Sequence, residues 1–188
     1  MRITPLEPPY ESEVDAQLRS MMPHGVEPIA LFRAFAKNLA MAAAMQPWGR
    51  YELGRDLSIS LRDREIVIDR TCARCGCEYE WGVHVAFFAD RAALGTEQIT
   101  SLTHGGARDP CWTGRDRLLI RLADALHDHS DISDDLWNEL AEEFDEAQLL
   151  DLTMLSGWYH AISFTARAAR VPLEPGAPTF ISVAPRQE

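Results

Sequence analysis

Apolar residues recur at three- and four-residue spacing along most of this chain, and that feature limits the fold more than any other. Leu31, Phe35, Leu39 and Ala42 stand at i, i+4, i+8 and i+11, which lines up one face of a helix. Leu118, Leu119, Leu122, Ala123 and Leu126 make a second stripe. Leu136, Trp137, Leu140 and Phe144 make a third, and Leu149, Leu152, Leu155 and Tyr159 a fourth. β-Branched runs are confined to Ile66–Ile68, which stands in a helical context, and to Phe180–Val183. The pattern predicts an all-α fold.

Prolines divide the chain into three. Residues 1–28 hold five of them and read as an N-terminal arm with a polar helical stretch at Glu11–Met22. Residues 29–170 form the helical domain. Residues 171–188 hold four prolines and read as an extended C-terminal tail that packs on a neighbouring subunit. Within the domain the first helices are expected over Ile29–Trp48 and Tyr51–Leu61. The next is capped by Asp63 and ended by Gly76. Others follow over Cys77–Ala93, Thr96–Leu102 and Asp116–His127, then from Ser133, then over Glu146–Arg170 as one helix or two. Residues 104–114 read as a loop anchored by Trp112.

A length of 188 residues suits one domain. With 46% hydrophobic and 25% charged residues the composition is that of a globular protein. The net charge, 18 − 29 = −11, disfavours nucleic acid and anionic membranes as partners. No apolar run approaches the ~20 residues of a membrane span, and the first ten residues lack the apolar core of a signal peptide. A cytoplasmic location is expected. Cys72, Cys75, Cys77 and Cys111 are then not a disulfide framework, and Cys111 reads as inert.

The stretch from Arg64 to His84 carries the chemistry. Cys77, Glu80 and His84 lie at i, i+3 and i+7 and share a helix face. A thiol near a helix start, where the dipole favours thiolate, with a carboxylate and an imidazole makes a reactive stripe. The same Glu80–His84 pair would also suit a solvated helix surface. Cys72–Cys75 has CxxC spacing but no βαβ context. Neither a metal nor a cofactor is expected.

Glu65, Cys77, Glu80 and His84 are separated by 12, 3 and 4 residues. That run, with Ala92-Ala93-Leu94-Gly95 and Thr96-Glu97-Gln98-Ile99 after it, resembles the carboxymuconolactone decarboxylase / alkylhydroperoxidase D superfamily. Its hallmark is a glutamate, a cysteine twelve residues on, a second cysteine three later and a histidine four after that. The resemblance covers residues 30–170. It implies an all-α, oligomeric bundle whose site forms where the Cys–His helix meets the Glu helix. Catalytic roles then fall to Glu65, Cys77, Glu80 and His84. Peroxidases of that superfamily cycle two cysteines between dithiol and disulfide, whereas its decarboxylases use acid–base groups without a cofactor. Here Glu80 replaces the second cysteine. A carboxylate cannot close a disulfide, and its charge raises the pKa of a nearby thiol. Cys72 or Cys75 would have to take its place, and Cys75 is close enough along the chain to strain the bond.

Arg64, Arg70 and Arg74 are the nearest positive charges, free to meet a carboxylate substrate or to pair with surface acids. The expected substrate contacts are Arg64, Arg70, Tyr79, Trp81, Tyr159 and His160, the last two as pocket lining or as core. His127 and His129 read as dipole partners at a helix end. The first functional reading is a cofactor-free acid–base enzyme, decarboxylating or isomerising a small organic acid or lactone. The alternatives are a thiol peroxidase using Cys77 with Glu65 and His84, a non-catalytic helical oligomer, and a metal site of Glu65, Glu80 and His84. The expected partners are a small-molecule substrate and further copies of the chain, as a dimer, trimer or hexamer.

Overall fold

The computed structural model describes residues 1–185. In chain order it contains α1 (Ser12–Ser20), α2 (Ala30–Phe35), α3 (Leu39–Glu52), α4 (Leu61–Arg74), α5 (Glu78–Phe88), α6 (Thr96–His104), α7 (Gly114–His129), α8 (Asp134–Ala141) and α9 (Glu146–Ala169). A 3-10 turn follows at Ile181–Val183, and the described residues contain no strand. The all-α expectation holds. No described helix is long and apolar enough to cross a membrane.

α4 is the axle. It packs against α5, α6, α7 and α9, and ten consecutive residues, Asp63 to Cys72, are buried. Five of the ten are charged, an arrangement that costs stability unless each charge finds a partner. Asp63 meets Arg115 at 3.0 Å, and Arg70 grips Asp124 through two bonds of 2.7 and 3.0 Å. The apolar packing comes from Ile66, Val67 and Ile68 of α4 against Leu119, Ile120, Leu152 and Leu155. The N-cap of α4 is Ser60. Its hydroxyl accepts from the Asp63 amide at 3.1 Å, and the Asp63 carboxylate accepts from the Ser60 amide.

Boundaries shift where side chains override the apolar period. The expected helix over Ile29–Trp48 is two, because Asn38 accepts a hydrogen bond from the Met41 amide and starts α3 afresh. The expected Tyr51–Leu61 helix is absent. Its first two residues end α3, and Asp151 of α9 pins the rest through the Ser58 amide and hydroxyl at 2.8 and 2.6 Å. α5 stops at Phe88, not Ala93. Ala93 adopts a left-handed φ of 53°, and Arg62 donates to the carbonyls of Ala92 and Ala93.

The described part of the tail packs on its own chain. Glu174 accepts from the Ala30 amide and the Tyr79 hydroxyl. Phe180 packs on Trp81 with ring centroids 5.1 Å apart, and the Val183 carbonyl accepts from Thr100. The strap crosses α5 at Gly82, where a Cβ would stand 2.6 Å from the Pro178 carbonyl. Only glycine allows that approach.

Candidate active site at the α4–α5 elbow

The elbow is a Schellman turn. Gly76 takes φ +64°, its amide donates to Ala73, and the Cys77 amide donates to Cys72 at 2.8 Å. This turn lays α5 back along α4. Glu65, Asp69 and Cys72, at i, i+4 and i+7 on α4, then lie on the side that α5 and α9 cover.

Charged groups form a buried chain there. The Arg64 guanidinium donates from Nε to Glu65 Oε1 at 2.7 Å. His84 Nδ1 donates to Glu65 Oε2 at 2.8 Å. His84 Nε2 faces Glu80 Oε1 at 3.6 Å, an ion-pair contact longer than a hydrogen bond. The side chains of Glu65 and His84 are 0% and 3% exposed, so the stripe is no solvated surface. Glu80 Oε2 finds no hydrogen-bond partner among the described residues. Tyr159 of α9 presents the His84 ring with an edge-on contact, centroids 5.0 Å apart.

Protonation follows from this packing. Burial alone would strip the proton from His84, but the charges of Glu65 and Glu80 outweigh it and push the imidazole up to about 10. His84 is therefore an imidazolium at neutral pH. Asp69 is 1% exposed, and neither of its carboxyl oxygens meets a partner among the described residues. Burial and the Glu65 charge hold it well above the usual carboxylate range, which favours its protonated form. Burial, then the charges of Glu80 and Glu65, likewise push the Tyr159 hydroxyl well up.

The thiols are quiet. Burial raises Cys77, the Glu80 amide opposes this, and the Glu80 charge adds to it. Cys72 lies well above its ordinary value, chiefly through burial. Ser163 of α9 donates to Cys72 Sγ at 3.8 Å and also touches Cys75 and Cys77. All four cysteines are free thiols.

Of the residues expected from sequence, Glu65, Glu80, His84, Cys77, Arg64 and Tyr159 come together. Four others do not. Arg70 is consumed by Asp124 and the carbonyls of Leu102 and Gly105. Tyr79 donates to Glu174 and accepts from the Leu31 amide at 2.9 Å. Trp81 is core under the tail. His160 stacks on His127, 5.2 Å away, and His127 stands in the last turn of α7. Asp69, Ser163 and Glu52 were missed. Only Asp69 carried a signal, its i+4 spacing from Glu65. Glu52 ends α3 fully buried, bonded to Trp48 Nε1 at 2.7 Å, and burial pushes it up to about 7.

A surface pocket of about 280 Å³ opens beside Arg64, walled by Leu57, Ile59, Leu61 and Arg91. A larger one of about 920 Å³ lies between the 106–109 loop, α7 and α8. It includes none of the buried chain, and its Arg121 and Arg115 pair with Glu139 and Glu143. The smaller pocket reaches the buried chain through Arg64 alone.

No family model matches this sequence, and no curated relative does. Solved structures do. An uncharacterized peroxidase-related protein from Silicibacter sp. TM1040 superposes with a TM-score of 0.80 at 15% identity, over 96% of this chain and 97% of that one. A cysteine-to-alanine variant of the debrominase Bmp8, in complex with 2,3,4-tribromopyrrole, gives 0.72 at 13% identity over 93% and 92%. Apo Bmp8 gives 0.69 at 15% identity over 92% of each chain. The fold implied by the Glu65–Cys77–Glu80–His84 spacing is thus the fold observed, and this chain adopts the all-helical alkylhydroperoxidase D-like architecture.

Proposed function

We propose that this protein is a cofactor-free enzyme that moves protons on a small organic acid or lactone, decarboxylating or isomerising it. The observation that carries this reading is the buried Arg64–Glu65–His84–Glu80 chain, with one Glu80 oxygen left unpartnered. A base needs a free lone pair, and Glu80 Oε2 has one. The neighbouring imidazolium supplies the acid, and Glu65 orients it. Arg64 and Arg91 face the adjoining pocket and suit a substrate carboxylate. That a debrominase with this fold was solved with a small ring compound bound agrees with a substrate of that size.

The second reading is thiol chemistry at Cys77. Cys72 and Cys77 share Ser163 and a direct backbone bond, and a fold neighbour is described as peroxidase-related. The raised thiols argue against it, since the thiolate is the nucleophile.

One experiment separates the two. Small carboxylic acids and lactones are incubated with the protein in D2O, and turnover and deuterium uptake are followed. The acid–base reading expects turnover that survives Cys77→Ser and is lost in Glu80→Gln. Peroxide consumption with a dithiol reductant that survives Glu80→Gln and is lost in Cys77→Ser would overturn it.

Assembly into a homo-oligomer belongs to the same proposal. Leu150, Met154, Gly157, Ala161, Phe164 and Ala168 are all exposed on α9 at alternating four- and three-residue spacing, the seam of a helix–helix contact. Sedimentation at micromolar concentration should give a species heavier than 21.1 kDa, and Met154→Glu should dissociate it.

A further inference from the structure

A second cluster lies where the end of α4 and the last turn of α7 meet the middle of α9. It consists of Cys75, His127 and His160. We propose that these three side chains bind a thiolate-preferring d-block cation, zinc(II) foremost, at a site separate from the Glu65–His84–Glu80 chain.

The geometry is close to that of a loaded centre. His127 Nδ1 stands 3.0 Å from His160 Nε2 and 3.8 Å from Cys75 Sγ. The three ligand atoms all lie within 4.8 Å of one another. Tetrahedral zinc, with bonds of ~2.0–2.1 Å to nitrogen and ~2.3 Å to sulfur, needs N···N of about 3.3 Å and S···N of about 3.6 Å. The two His127 distances differ from these by roughly a third of an ångström or less, and the third pair, Cys75 Sγ and His160 Nε2, closes from within 4.8 Å as the ion seats.

The ligands are also aimed. His160 Nδ1 donates to the Ser156 carbonyl at 2.8 Å, which leaves the Nε2 lone pair pointing into the cluster. Metal-binding histidines are held in this way. Cys75 is fixed by the Gly76 turn and by Arg167, which donates to its carbonyl at 2.6 Å. Without an ion, a single N–H···N bond joins the two rings. On binding, His127 carries its proton on Nε2, the Cys75 thiol gives its proton to solvent, and a Zn–S bond replaces S–H. Cys75 is buried and both histidines are half-buried, so the fourth position opens outward, as in three-ligand sites that keep a water or substrate. A thiolate with two imidazoles selects zinc or copper(I) over magnesium or calcium.

The test uses untagged full-length protein stripped with a chelator. Zinc(II) is titrated in competition with a chromophoric chelator, and cobalt(II) is added in a parallel sample. Wild type should bind one equivalent of zinc. Its cobalt form should show a thiolate charge-transfer band. Cys75→Ser, His127→Gln and His160→Gln should each weaken zinc by more than the about 10–100-fold that loss of a mere supporting residue costs, and Cys75→Ser should abolish the cobalt band. Cys111→Ser should bind as wild type does. Equal affinity in wild type and Cys75→Ser, or a zinc site lost in Glu65→Gln instead, overturns the proposal. If a ligand variant fails to fold, the wild-type cobalt spectrum decides, and absence of the thiolate band overturns it.

Discussion

The two faces of α4 are both crowded with charge and are neutralised by different means. On the face toward α7, arginines do the work. Arg70 grips Asp124, Arg74 pairs with Asp128, and Arg62 meets Asp116 at 3.0 Å. Guanidinium does not titrate in proteins, so this balance is fixed. On the face toward α5 stand Glu65, Glu80 and Asp69 with Arg64 and His84. Two cations match two anions there only if His84 holds its second proton and Asp69 holds its own. Both shifts run in that direction. The outer face is built from charges that cannot move, and the inner face from protons that can. Buried charge is therefore held by fixed guanidinium pairs on one side of the helix and by titratable groups on the other.

The largest effect that would break this contrast is catalytic. With a turned-over substrate in hand, Glu80→Gln should slow the reaction by about 10²–10⁴, the range of a lost general base, while the protein stays folded. A rate within about threefold of wild type would remove Glu80 from the chemistry. On the outer face the cost should fall on stability. Arg70→Ala leaves Asp124 with only its 3.6 Å contact to Arg74 and the buried Leu102 carbonyl unpaired, and should cost about 1–3 kcal/mol, seen as a lower urea midpoint. If it also altered kcat at a temperature where the protein is fully folded, the separation of the faces would fail.

The pH profile is the next effect in size. His84 has a folded value near 10 against 6.5 for the free side chain. A raised group contributes stability that is fully present below 6.5 and is lost as pH rises through about 10. Asp69 and Glu52, also raised, act in the same sense from lower pH upward. Tm should therefore fall from pH 6.5 toward pH 10, and His84→Gln should flatten that fall. A histidine NMR titration should place His84 near 10. Asp69→Asn mimics the protonated carboxyl, so it should leave the His84 midpoint unchanged. A marked drop would show that Asp69 is ionised. The smallest effect belongs to the elbow, where Gly76→Ala should cost about 1 kcal/mol through its left-handed φ.

Much of this molecule was legible because it is local. Helical period alone yields the all-α class. Glu80 and His84 are one turn apart, so their shared face follows from the sequence. Gly76 announces the turn that returns α5 to α4, and with it the meeting of Glu65 and His84. Arg64 and Arg70 were indistinguishable as substrate contacts, because a one-dimensional pattern says which face a residue takes and not what packs there. Packing gave Arg70 to Asp124, 54 residues away, and gave Arg64 to Glu65. Tyr79 and Trp81 flank Glu80 in sequence yet serve the tail, since neighbours in a helix point about 100° apart. Ser163 among the thiols, Glu52 beneath Arg64, and His127 against His160 and Cys75 are products of long-range packing. Charge balance, and hence which groups hold protons, depends on burial and on partners from distant helices, so the protonation of this site was decided by the tertiary structure alone.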